Sequence, residues 1–247
     1  MQRSNGWVVI AYLLTLATLT LSVGRLGDML GKKRIYTTGF GVFTLGSVLS
    51  GVAPSIEWLV GFRVLQAVGA SMIFALGMAI ITQAFPPGER GRALGISGAL
   101  VSIGIVIGPS LGGLIVDQWS WRWIFIVNLP IGIYGTAAAH RFVPDVPPPG
   151  GQRFDFKGAA VFFVGLLTFM LGLSLAQSRG FSSGPVVSLL GIGISALVVF
   201  VLIERRVDQP MLDLALFQDR LLTINLLTGW MTFFAISGPF HPGALLS

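Results

Sequence analysis

Eight apolar runs, most of them close to the length of a membrane-crossing helix, decide what this chain can fold into. They are Trp7–Val23, Ile35–Ala53, Trp58–Phe85, Ala93–Val116, Trp123–Ala139, Ala159–Ala176, Val186–Ile203 and Leu221–Pro239. A helix needs about 20 apolar residues to cross the ~30 Å hydrocarbon layer. In lipid each run must be a helix, because a strand outside a closed barrel leaves its backbone groups unpaired. Composition says the same: 53% of the 247 residues are hydrophobic and 11% charged, with a mean hydropathy of +0.82. An ordinary soluble domain carries about 25% charged residues, so the solvent for most of this chain is lipid. The 33 glycines suit membrane helices that approach closely, and the absence of cysteine excludes disulfides and thiolate chemistry. The expected fold class is an all-α polytopic membrane protein.

The polar gaps orient the spans. Twelve of the 16 basic residues fall in alternate gaps, among them the Arg25 to Arg34 stretch, Arg90 and Arg92, the group Arg141, Arg153 and Lys157, and the group from Arg205 to Arg220. Only Arg3, Arg122 and Arg179 lie on the other side, and Arg63 lies within a span. The positive-inside rule makes the richer side cytoplasmic. The net charge of +6 is therefore a topology signal and gives no support to a nucleic-acid role. The same rule puts Met1 outside with only six residues before the first span, and the last span is followed by eight. Both ends are expected to be truncated, with a helix missing before the first run.

Residues 1–142 then form a five-helix bundle lacking its first helix. A Pro/Gly-rich cytoplasmic linker follows at 143–157, centred on Pro147-Pro148-Pro149-Gly150-Gly151. Residues 158–203 supply two inserted spans, and 204–220 a cytoplasmic segment in which Pro210 is placed to open a short amphipathic helix on the membrane surface. Residues 221–247 hold the first helix of a second bundle.

The most specific motif is Gly24-Arg25-Leu26-Gly27-Asp28-Met29-Leu30-Gly31-Lys32-Lys33-Arg34 in the first cytoplasmic gap. Its three glycines permit a tight reversal between helices. Asp28 is placed to meet backbone N–H groups or the positive end of a helix, and the basic cluster to pair with Asp28 or with acidic headgroups. It is not a phosphate-binding loop: three residues separate Gly27 from Gly31 where four are needed, and no Ser or Thr follows Lys32.

This motif resembles the signature loop between helices two and three of the major facilitator superfamily, and further signatures follow in order. Arg63-Val64-Leu65-Gln66-Ala67-Val68-Gly69-Ala70 resembles the fourth-helix motif. Gly104, Gly108, Pro109, Gly112 and Gly113 lie in a stretch that resembles the fifth-helix motif of the family's antiporters. Trp121-Arg122-Trp123-Ile124-Phe125 with Asn128, Pro130 and Gly132 resembles the sixth-helix start of the fourteen-helix drug:proton antiporter branch. The resemblance implies a major facilitator fold with helices 2–9 of an expected 14 present. Met29 departs from the pattern, since a basic residue is common there.

The resemblance implies roles, which the residues support unevenly. Gly24, Asp28, Gly31, Lys32, Lys33 and Arg34 would form a cytoplasmic gating loop. Gly104, Gly108 and Gly112, at i, i+4 and i+8, make one smooth stripe with Gly113 beside it. Pro109 removes a backbone bond there. In the family that stripe is held to seal the two halves against leak; plain helix packing is the alternative. Arg63 is the one ionisable residue inside a span, with Gln66 on the same face at i+3. The resemblance implies a proton-coupling role for it, acting with an acid that relatives carry on the first helix. Snorkelling to the outer interface is the alternative. Tyr12, Thr15 and Ser22 share one face and, with Asn128, are candidate cavity-lining residues, with hydroxyls bonding back to their own helix as the alternative.

No metal site or cofactor is expected: His140 and His241 are far apart and lack neighbouring ligands. No catalytic motif appears either, and Gly191-Ile192-Gly193 lacks the third glycine of a dinucleotide loop. The implied function is export of lipophilic or cationic compounds from a bacterial cell in exchange for protons, across the plasma membrane, by alternating access. The partners would be the bilayer, the substrate, protons and the missing helices of the same transporter. A truncated, non-transporting membrane partner protein, or a facilitator for another small metabolite, are the alternatives.

Overall fold

The structure, a computed structural model, describes residues 2–148, 150–151, 154–207, 209–212 and 214–237; Pro149, Arg153, Pro239 and His241 lie outside them. The described residues contain nine α-helices and no strand: α1 Gln2–Leu30, α2 Lys32–Gly51, α3 Ile56–Ala84, α4 Pro87–Gln118, α5 Trp123–Ile126, α6 Asn128–Phe142, α7 Phe156–Arg179, α8 Gly184–Glu204 and α9 Arg220–Ser237. Six stretches are long and apolar enough to cross a membrane: Gly6–Leu30, Ile56–Ala84, Pro87–Gln118, Trp123–Phe142, Phe156–Arg179 and Gly184–Glu204. The two other expected spans, α2 and α9, are helical over 20 and 18 residues. In α2 the opening Lys32-Lys33-Arg34 and the later Thr, Ser and Gly residues dilute the apolar character.

Local chemistry sets the helix ends. Asp155 caps α7 by accepting hydrogen bonds from the amides of Lys157 (3.1 Å) and Gly158 (2.9 Å). Asp219 accepts from the amide of Leu221 at 2.8 Å as α9 begins. The run from Trp123 is one apolar stretch in sequence but two helices in space, broken at Val127. Pro130 explains the break, since it offers no N–H to Ile126 and its ring crowds that carbonyl. The 204–220 segment differs from the expectation. Pro210 opens no α-helix; a 3-10 helix spans Leu214–Gln218 instead. The Leu212 amide is spent on the Glu204 carboxylate (3.2 Å), which holds the chain against α8.

Glycines let three helix pairs approach. A Cβ on Gly46 of α2 would stand 2.5 Å from the backbone N of Gln66, and one on Gly69 of α3 would collide with the backbone of Phe43. On α8, a Cβ at Gly193 would stand 2.7 Å from the backbone N of Phe169 of α7. Gly132 and Gly135 seat α6 on Thr44 and Phe40 of α2. The result is a bundle of α1, α2, α3 and α6, beside which α7 and α8 form a hairpin, with α7 touching α1. A buried cluster of Val23, Ile35, Leu76 and Ile80 ties α1, α2 and α3 near the turn after Leu30. In contrast, α4 buries no residue, and α9 packs chiefly on the 3-10 helix among the described residues.

Candidate functional site

The gating motif is less of a loop than its glycines suggest. Helix α1 continues through Gly24, Gly27 and Asp28 to Leu30, and α2 starts at Lys32. Gly31 alone makes the reversal, at φ 95°, a region that L side chains rarely adopt. Gly27 has a different use, since a Cβ there would strike the Leu76 side chain, whereas Gly24 faces open space. Asp28 Oδ1 pairs with Lys32 Nζ at 3.1 Å across the turn. Lys33 and Arg34 occupy the first turn of α2, where Arg34 is exposed. The linker returns here too: Val146, Pro147 and Pro148 line a cleft of about 170 Å³ with Gly27, Asp28, Gly31 and Lys32.

A polar cluster lies inside the bundle. Arg63 Nη1 donates to Gln66 Oε1 at 2.7 Å, the i+3 neighbour on its own helix, and Gln66 is 1% exposed. The guanidinium lies over the Tyr12 ring of α1, 4.1 Å from its centroid, and 5.5 Å from the ring centroid of Phe125 of α5. Both rings can hold the cation through their π faces. Arg63 is therefore turned inward onto α1 and α5, away from the snorkelling alternative, and its Nε has no hydrogen-bond partner among the described residues. The acids of the described helices all sit near helix ends, at Asp28, Glu57, Glu89, Asp117 and Glu204.

The break between α5 and α6 feeds the same cluster. Ser47, fully buried on α2, donates to the Phe125 carbonyl at 2.9 Å and accepts from Asn128 Nδ2 at 3.0 Å. Ser47 thus ties the Phe125 carbonyl of α5 to α2, and the same residue, Phe125, presents its ring to Arg63. Asn128 is tied to this internal network. Of the α1 candidates, Tyr12 meets Arg63, while the Thr15 hydroxyl donates to its own helix at the Ala11 carbonyl (2.8 Å). Ser22 is half-buried on α1.

The α4 stripe meets nothing within the described residues. A Cβ on Gly104, Gly108, Gly112 or Gly113 would find no atom within 4 Å. Pro109 sits inside a helix that runs on to Gln118. The glycines that pack helices in this chain are others, on α1, α2, α3, α6, α7 and α8.

One constellation escaped the sequence reading. At the junction of α1, α7 and α8, the Arg25 Nε, Asp155 Oδ2 and Glu204 Oε1 atoms are all buried without hydrogen-bond partners. The two acid oxygens both lie against the space a Gly158 Cβ would fill, with Glu204 Oε1 3.2 Å from it, and Arg25 is near enough for its charge to reach Glu204. In sequence these residues belong to a gating motif, a linker end and a charged segment. Only the docking of α7 on α1 brings them together.

Comparison with known proteins follows this geometry. A family model described as the Major Facilitator Superfamily matches residues 2–246. The riboflavin transporter RibZ of Clostridioides difficile is 37% identical over 232 residues, covering 92% of this chain and 49% of its own. The multidrug resistance protein Stp of Mycobacterium tuberculosis (strain H37Rv) is 37% identical, over 94% of this chain and 43% of its own. The multidrug transporter protein MdtP of Bacillus subtilis is 32% identical, over 91% and 42%. The chain thus spans half or less of the length of these relatives.

Proposed function

The chain belongs to the Major Facilitator Superfamily, and from that premise we propose that it is part of a secondary transporter that exports lipophilic or cationic drugs in exchange for protons. Residues 2–142 supply helices of one bundle, α7 and α8 an inserted hairpin, and α9 the start of a second bundle. The bundles rock about a cavity between them, opening it to each side in turn. The linker and the Gly31 turn lie on the cytoplasmic side of a bacterial inner membrane, where Asp28 and Lys32 latch the closed state. The acid that carries the proton comes from the part of the transporter outside this chain. The unpartnered glycine face of α4 is the surface offered to the second bundle.

The observation that carries the reading is Arg63. A cation inside an apolar bundle is costly, and here it is retained, held by one amide oxygen and two ring faces. That arrangement fixes a positive charge with no acidic partner among the described residues. Such a charge acts on a carboxylate that approaches it, favouring release of its proton. The test uses everted vesicles carrying the complete transporter and a cationic dye. Uptake driven by an imposed proton gradient, collapsing with a protonophore and lost in Arg63→Ala, is the expected result. Uptake that survives Arg63→Ala unchanged overturns the coupling role.

A second reading is export of a planar aromatic metabolite. It is favoured by the likeness to a riboflavin transporter, which equals the likeness to Stp. Riboflavin counterflow in the same vesicles, without dye uptake, would select it.

A further inference from the structure

Between α2 and α6 runs an open groove of about 1070 Å³, distinct from both the Arg63 cluster and the Gly31 turn. Gly41, Leu45 and Val48 of α2 face Leu129, Ile133 and Ala137 of α6 across it. Thr44 and Thr136 also line it, yet each turns its hydroxyl back to its own helix. Thr44 Oγ1 donates to the Phe40 carbonyl and Thr136 Oγ1 to the Gly132 carbonyl, both at 2.7 Å. What these threonines leave for an occupant is largely methyl surface. Gly41 opens the floor further, with no atom within 4 Å of where its Cβ would stand.

The polarity is gathered at one end. His140 and Arg141, both exposed in the last turn of α6, close the groove on the side that the basic residues mark as cytoplasmic. Thr37 lines this same end of α2, and its hydroxyl is buried with no hydrogen-bond partner among the described residues. From Thr37 to Val48, α2 rises about 16 Å at 1.5 Å per residue. That is close to half of the ~30 Å hydrocarbon layer, or one leaflet.

A groove one leaflet deep, apolar along its walls and cationic at headgroup level, matches one kind of occupant. We propose that it binds an anionic phospholipid of the inner leaflet, with an acyl chain along Gly41 and Ile133. The phosphate sits at the Arg141 guanidinium, whose paired N–H groups fit phosphate oxygens, with His140 beside it. A zwitterionic lipid offers the same chains but cancels the charge that Arg141 recognises.

The test is retention of lipid by the purified full chain, measured by native mass spectrometry after delipidation and re-addition of phosphatidylglycerol or phosphatidylcholine. Phosphatidylglycerol is expected to be retained about tenfold better (~1.4 kcal/mol). The His140→Gln/Arg141→Gln double variant abolishes that preference, and Gly41→Phe, which fills the groove, lowers retention of both lipids. Arg92→Gln, which removes a cytoplasmic charge outside the groove, leaves the preference intact. Equal retention of the two lipids, or an equal loss in Arg92→Gln, overturns the proposal in favour of a general basic surface. Protection of the lip by glycerol phosphate as strong as by the lipid overturns it in favour of a soluble-anion site. A dimer that dissociates in Gly41→Phe overturns it in favour of a second copy as the occupant.

Discussion

Gly24 and Gly31 carry the same letter in one motif and do opposite things. Gly31 holds φ 95° at the only residue between α1 and α2, while Gly24 lies within α1 and faces open space. Gly31→Ala therefore forces a side chain into a disfavoured backbone region, at a cost of about 1–3 kcal/mol. Gly24→Ala instead improves an ordinary helix position by up to ~1 kcal/mol. Thermal denaturation of the chain in detergent should show the first variant melting lower than the parent and the second equal or higher. Equal losses in both would mean that α1 does not run unbroken through Gly24. The same contrast between type and setting holds at Arg63 and Gln66. Their i+3 spacing is visible in the sequence, but the rings that complete the cage come from residues 51 positions before and 62 after Arg63. No local pattern announces either one.

At the scale of elements, the glycines separate into those that join helices and those that face outward. Gly69 brings α3 against the backbone of Phe43 on α2, so a larger side chain must push two backbones apart. A Cβ on Gly108 of α4 would meet nothing within 4 Å among the described residues of other elements. Gly69→Leu should destabilise the isolated chain by several kcal/mol, in the range of overpacked and disrupted cores. Gly108→Leu should leave its melting temperature within a degree or two. If Gly108→Leu proved as damaging as Gly69→Leu, α4 would have to pack on this chain through its stripe. The hairpin of α7 and α8 follows the same rule as α2 and α3, through Gly165, Gly172 and Gly193. Its junction with α1 leaves Arg25, Asp155 and Glu204 with unpaired buried atoms in one place.

The molecule as a whole is unevenly finished. One side is a packed bundle with a docked hairpin, while α4 and α9 present apolar faces that meet little or nothing of the described chain. For a transporter built from two bundles, the α4 face is where the second bundle is expected to lie. The absence of cysteine makes that testable with single Cys replacements at Gly104, Gly108 and Gly112. A membrane-permeant maleimide should label all three in this chain alone and react at least tenfold more slowly in the complete transporter. Equal labelling in both would remove the stripe from the bundle interface.

What the sequence by itself determined is the solvent, the helices and the family. Runs near 20 residues, sparse charge and a one-sided distribution of Arg and Lys follow from the cost of burying polar groups in lipid, and that cost is local and additive along the chain. The motif order determined the kinship for the same reason, since each motif is a short contiguous string. The tertiary structure alone decided which glycines pack, because closeness depends on the partner backbone and not on the glycine. It also decided that the fifth run, broken before Pro130, is tied to α2 through Ser47 at the Phe125 carbonyl, and that Arg63 turns toward Tyr12. The lipid-sized groove belongs here as well, since its walls come from stretches 37–48 and 129–141, more than eighty residues apart in the chain. In each case the deciding energy is a contact between distant segments, and it exists only once the helices have met.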